Sequence, residues 1–272
     1  MTTSLREAWA SLPSRLRLLE PVPFTAAHWS LLERLRADFN DREAHTQLPL
    51  AIARFRDEAA KEIFDRARQF DEVVTVNVDE NWEARVAAGT EGGAGDPMAP
   101  WVRLYNEDVD AMMDVLVPPA RYRKEHYAYG KFVFPEPHGL HTDHSLEDPA
   151  ATGEPICIAR IETLGTHYVD GDYRTQDPET QSMLKALRYW IPVPEGEPEE
   201  IFEELLKRGT LKTIPVNHVM LMVAGNGSAN AQVTQHISAR PPEGGLHSAF
   251  FQRQYRLVPP SPTVVPVASG PA

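Results

Sequence analysis

Apolar positions in the first third of the chain recur at helical spacing. Trp29, Leu31, Leu32 and Leu35 predict a helix over Thr25–Phe39, and Leu5–Leu12 a shorter one. Ile52, Phe55, Ala59, Ile63 and Ala67 fall on one stripe and predict a long amphipathic helix from Pro49 to Phe70. Glu72–Val78 reads as a strand and Asn106–Val115 as one more short helix; residues 88–100, rich in Gly, Ala and Pro, read as a surface loop. From Arg121 the pattern changes to short runs rich in β-branched and aromatic residues. Strands are predicted within 122–134, 156–164, 187–193, 218–224, 231–237 and 247–257, with helices inserted over 177–187 and 198–208. Helices followed by short strands predict an α+β fold: an antiparallel barrel or sandwich backed by N-terminal helices. The expected organisation is one structural domain, with a mainly helical layer over 1–120, a β core over 121–258 and a Pro-rich, extended or disordered tail over 259–272.

Composition narrows the classes. A chain of 272 residues buries a sizeable core without covalent staples. A net charge of -12 repels phosphate backbones, which argues against nucleic acid as a partner. Cys157 is the only cysteine, so disulfides within the chain, zinc ribbons and iron–sulfur clusters are excluded. The N-terminus lacks the apolar stretch of a secretory signal, and no run is long enough to span a membrane; a cytoplasmic location is expected. The GTEGGAG run sits in no strand–helix context, so a phosphate loop is not expected there.

The chemistry concentrates in PEPHGLHTDHSLEDP, residues 135–149. His141 and Asp143 are two residues apart, so on an extended strand both point to one face and can reach one metal ion. A third ligand must come from elsewhere. Two histidines and a carboxylate leave open positions on an octahedral ion, as oxygen-activating Fe(II) sites require. The competing reading is a polar turn whose histidines cap backbone groups. Later come a histidine on a strand-like segment, VTQHISA, and an arginine-bearing strand, FFQRQYRL.

With HTDH (141–144), TQHISARPP (234–242) and HSAFFQRQYRL (247–257), the sequence resembles the Fe(II)/2-oxoglutarate-dependent dioxygenases. LGTHYVDG (164–171) is similar to the turn and strand after the metal motif in some branches of that family. The resemblance covers roughly Arg121–Leu257. It implies a double-stranded β-helix, a jelly-roll barrel with Fe(II) at its mouth, and 2-oxoglutarate and O2 as co-substrates. It implies His141, Asp143 and His236 as the iron ligands, with His247 and His218 as rivals for the third place. It also implies an arginine on the last strand as the anchor of the 2-oxoglutarate carboxylate, Arg253 or Arg256. Arg253 is preferred because its face, with Ala249, Phe251 and Tyr255, is the more apolar and should point into the barrel. Halogenases related to the family replace the metal-binding carboxylate, so Asp143 points to hydroxylation or another oxidative outcome.

Arg160, in the apolar run ICIARIET, needs a partner; it is a candidate for binding an anionic substrate or co-substrate, or for pairing with Glu162 or another acid. His138 and His144 flank the motif, where loop roles compete with contacts to metal ligands or substrate. Trp101 and Trp190 read as core. The expected activity is hydroxylation of an unactivated C–H bond in a small molecule, amino-acid-derived or an intermediate of secondary metabolism. A homodimer through the N-terminal helices is left open. A cupin-like metalloenzyme that does not use 2-oxoglutarate and a non-catalytic binding barrel are the alternatives.

Overall fold

The computed structural model describes residues 4–37, 48–70, 74–78, 98–117, 122–132, 139–142, 156–162, 165–189, 197–224, 234–238 and 248–257. The described strands are β1 (Leu19–Pro21), β2 (Leu50–Phe55), β3 (Val74–Val78), β4 (Tyr122–Phe132), β5 (Ile156–Glu162), β6 (Thr166–Val169), β7 (Leu211–Ile214), β8 (His218–Ala224), β9 (His236–Ser238) and β10 (Ala249–Leu257). The described α-helices are α1 (Leu5–Ala10), α2 (Ala26–Ala37), α3 (Asp57–Ala67), α4 (Ala99–Leu116), α5 (Pro178–Ala186) and α6 (Glu197–Lys207). The strands form two antiparallel sheets: a major one in the order β1-β2-β8-β5-β10-β4-β3 and a minor one in the order β7-β6-β9.

Residues directly opposite one another in antiparallel pairs share a face, so the registers divide the major sheet into two surfaces. Ala249, Phe251 and Tyr255 of β10 lie on one, with Ala159 and Ile161 of β5 and Val219 and Leu221 of β8. This surface forms one core with Val102, Tyr105, Val109 and Met112 of α4. On the other surface Ile158, Met220 and Met222 pack with Ile214 of β7 and Tyr168 of β6, so the minor sheet lies against it. Behind the minor sheet, Val169, Leu211 and Ile237 pack with Leu184, Leu187, Phe202 and Leu205 of the inserted helical segment. The result is helices, sheet, sheet, helices: a mixed fold with a jelly-roll-like antiparallel centre. No described helix is long and apolar enough to cross a membrane.

Two local features tie the helices to the sheet. Asp108 of α4 is buried and accepts the backbone N–H groups of Arg17, Leu18 and Leu19 at 2.7 to 3.1 Å. It thereby satisfies donors at the entry to β1 that burial would otherwise leave unpaired. At Gly130 of β4 the helix comes so close that a Cβ there would stand 2.7 Å from Val102 Cγ2.

The structure corrects several sequence expectations. The stripe from Ile52 to Ala67 is not one helix. Its first part is β2, held between β1 and β8, and α3 begins only after Arg56. Pairing on both sides of β2 overrides a period that a strand–helix junction happens to imitate, while Asp57 and Glu58 suit the positive end of the helix that follows. The N-terminal part therefore supplies β1, β2 and β3 to the major sheet as well as helices. The helix expected at Asn106–Val115 is longer, Ala99–Leu116, and starts with a proline in its first turn, where no hydrogen bond is lost. Leu187–Tyr189, expected to open a strand, is a 3-10 turn; residues 190–196, Trp190 among them, lie outside the described residues. Trp101 packs against the core as expected.

A candidate metal centre between the sheets

His141 and His236 meet as an isolated antiparallel bridge. Each backbone N–H donates to the other residue's carbonyl at 2.9 Å, so the two side chains leave the bridge on the same face. Their ring centroids are 4.3 Å apart and the planes are inclined by 54°. His236 is fully buried, and the minor-sheet residue opposite it is Tyr168.

Neighbouring groups determine the tautomers. A carbonyl oxygen can only accept, so His141 Nδ1, 2.6 Å from Gly139 O, carries the hydrogen and leaves its lone pair on Nε2. A guanidinium can only donate, so His236 Nε2, 2.6 Å from Arg160 Nη1, also keeps its lone pair. The two imidazoles thus stand side by side, and in the neutral form of each ring Nε2 is the atom able to coordinate. That donor set fits a divalent transition metal such as iron, for which imidazole is a suitable ligand. A carbonyl holding Nδ1–H is also the usual way a metal-binding histidine is oriented.

Asp143, expected to complete the set, lies outside the described residues, as do His138, His144 and His247. Among the described residues no group of three or more histidines, cysteines or carboxylates could hold a metal ion. His218 is not brought to this pair. It opens β8 opposite Arg54, with Nδ1 2.9 Å from Val216 O.

Arg253, the preferred anchor of the two β10 arginines, lies on the helix side of the major sheet. Its face of β10 points to helix α4, not between the sheets. Arg253 Nε lies 3.3 Å from Asp110 Oδ1, which also accepts the Tyr255 hydroxyl at 2.6 Å, while Lys124 Nζ lies 2.8 Å from Asp110 Oδ2. The apolar face is outermost because a helical layer covers it. The interior face carries Ser248, Phe250, Gln252, Gln254 and Arg256, all buried. Polarity in the last strand therefore marks the inside of the molecule here.

Arg160 lies on that same interior face, opposite Gln252, and is 3% exposed. Its Cζ stands 4.7 Å from the centroid of the Phe250 ring. Gln252 Oε1 is buried and meets no hydrogen-bond donor among the described residues. Burial pushes the Tyr168 hydroxyl above its ordinary pKa, with Lys212 partly opposing, so it stays protonated and able to donate at neutral pH. Sequence reasoning singled out neither Tyr168 nor Gln252. LGTHYVDG held the only signal for the first, and the second depends on strand register.

No protein-family model and no curated protein matches the chain. Among solved structures it is similar to HygX from Streptomyces hygroscopicus with iron bound, at 15% identity and a TM-score of 0.33 over 71% of this chain and 85% of that one. It is similar to EvdO2 from Micromonospora carbonacea var. aurantiaca at 12% identity and 0.34, over 96% and 93%. It is also similar to the non-haem iron oxygenase OrfP in complex with Fe at 12% and 0.29, over 88% and 94%. Non-haem iron oxygenases, one of them of the 2OG-Fe(II) oxygenase family, are thus what the chain is similar to. Likeness this slight assigns no family, and the bearing on function comes from the paired imidazoles.

Proposed function

We propose that this protein is a cytoplasmic non-haem Fe(II)- and 2-oxoglutarate-dependent dioxygenase that hydroxylates an unactivated C–H bond of a small molecule. The observation that carries the reading is the His141–His236 pair, two adjacent imidazoles in which a carbonyl at His141 Nδ1 and a guanidinium at His236 Nε2 make Nε2 the lone-pair nitrogen of each neutral ring. His141 belongs to the HTDH motif, and Asp143 is the carboxylate that would complete the ligand set.

Strand order gives further support. From β4 onward the chain visits the major sheet, the His141 segment of the minor sheet, β5 of the major, β6 and β7 of the minor, then β8, β9 and β10 in alternation. This order supports reading the antiparallel centre as a double-stranded β-helix, with the histidine pair on the inner side of the minor sheet. When bound, iron, 2-oxoglutarate and O2 supply the oxidation, in which one oxygen atom goes to the substrate, the other to succinate, and CO2 leaves.

The protein's part is to hold and to exclude. His141 and His236 hold the ion through Nε2. Arg256, on the interior face of β10, takes the place expected for Arg253 and binds the far carboxylate of 2-oxoglutarate through a charge-assisted pair. Tyr168, opposite His236 in the minor sheet, would offer its hydroxyl as a donor to a ligand held there. Ile158, Met220 and Met222 keep water from the back of the site.

Anaerobic addition of Fe(II) and 2-oxoglutarate should give a visible charge-transfer band in the wild type and none in Asp143→Ala or His236→Ala. Absence of both the band and metal binding in the wild type overturns the reading. Metal binding with no response to 2-oxoglutarate would replace it with the cupin-like alternative.

A further inference from the structure

His236 Nε2 has one in-plane lone pair, and the Arg160 guanidinium already takes it at 2.6 Å. A metal ion on that nitrogen and a hydrogen bond from Arg160 exclude each other. We propose that Arg160 is a displaceable plug on the metal-binding nitrogen. Metal enters by moving the guanidinium off His236, and the guanidinium then serves a carboxylate bound beside the metal. The inference rests on reading His141 and His236 as metal ligands.

Arg160 and His236 are 3% and 0% exposed, so their contact lies in the interior, where water competes little for the Nε2 lone pair. The movement belongs to the side chain alone, because β5 is paired on both sides, with β8 and β10. A second resting place lies within the same face. The Phe250 ring supports the guanidinium at 4.7 Å, a cation–π contact that survives rotation of the head group. Gln252, opposite Arg160 across β5–β10, offers a buried Oε1 that meets no donor among the described residues and would accept a guanidinium N–H. Once the plug has turned, a carboxylate at the metal can accept its N–H groups. Metal and 2-oxo acid therefore help each other to bind through Arg160 as well as through direct chelation, and the coupling is reciprocal.

Two measurements test this. In protein with 15N-labelled histidine and no added metal, His236 Nε2 should resonate as a hydrogen-bonded, unprotonated nitrogen and should shift in Arg160→Met. Anaerobic calorimetric titration with Fe(II), or Co(II) as a stable substitute, should give a metal affinity about tenfold or more higher in Arg160→Met than in the wild type, since a charge-assisted hydrogen bond competing for the Nε2 lone pair is worth about that much. The extra tightening caused by 2-oxoglutarate should shrink in the same variant. Arg160→Lys, which keeps the charge and the stem, should stay near the wild type and covers the case in which Arg160→Met does not fold. An unmoved His236 resonance, or equal or weaker metal binding by folded Arg160→Met, overturns the plug while leaving the metal site in place. If neither wild type nor variant binds metal, the functional reading fails and the plug with it, whereas the resonance still reports the Arg160–His236 contact.

Discussion

An imidazole offers a metal one lone pair, and whatever ties its other nitrogen decides which one. In this protein a backbone carbonyl does that for His141. His167, one residue before Tyr168, faces the other way and shows a different use of the same group. Its Nδ1 lies 2.8 Å from Thr213 Oγ1, its ring meets Phe202 edge-on at 5.0 Å, and burial lowers its pKa to about 4. The neutral form is therefore the one the fold accepts. Its contribution to stability is complete above pH 6.5 and is lost as pH falls toward 4, because the unfolded chain takes up the proton first. Thermal melts between pH 7 and 4 should show this loss, and His167→Gln should flatten the curve there by up to one proton. The two arginines of β10 make a second test. Arg256→Gln should weaken 2-oxoglutarate binding at least tenfold. Arg253→Gln should leave it unchanged and lower stability by about 1–2 kcal/mol through its lost contact with Asp110. Spacing and chain order drew attention to His141 and His236. They carried no sign of Arg160 as the partner of His236, because that contact depends on how β5 and β9 face each other across the sandwich.

At the scale of elements, one glycine shows how tightly a helix and a sheet are fitted. A methyl group on Gly130 would meet Val102 Cγ2 at 2.7 Å, Met98 Cε at 3.0 Å and Phe251 Cδ1 at 3.1 Å. Met98 can yield, but the branched Val102 on α4 cannot without moving the helix. Gly130→Ala should cost about 1–3 kcal/mol in denaturant unfolding, and a companion Val102→Ala should recover part of it. The long strands β4, β5, β8 and β10 were legible because each carries enough β-branched and aromatic residues to exceed the noise of a short window. The three- and four-residue strands β1 and β7 were not. Such segments are strands by virtue of their neighbours' unpaired backbone, which no local pattern records. The same cause split the apparent helix of Pro49–Phe70. On β10 the parity argument presumes that the most apolar face of a barrel strand points inward, whereas that face here packs against α4.

At the scale of the whole molecule, one buried carboxylate reinforces the attachment of the N-terminal segment, which also pairs through β1 and packs in the main core. Asp108→Ala would strand the backbone N–H groups of Arg17, Leu18 and Leu19 and should cost roughly 3 kcal/mol or more, read as a fall in the urea midpoint. The helices at the far side have the opposite character. α5 and α6 form one excursion between β6 and β7, and its two ends are joined at the base, where Asp170 N–H donates to the Thr210 carbonyl at 2.8 Å. Geometrically, the two strands could be reconnected by a tight turn and the excursion cut away. Such a shortened protein would keep every residue assigned to the metal yet lose the dry wall formed by Phe202, Leu205 and Leu184 behind Ile237, the residue next to His236. The excursion is thus a removable part by connectivity and a retaining wall by mechanics, and engineering that trims it for compactness would loosen the histidine strand from behind.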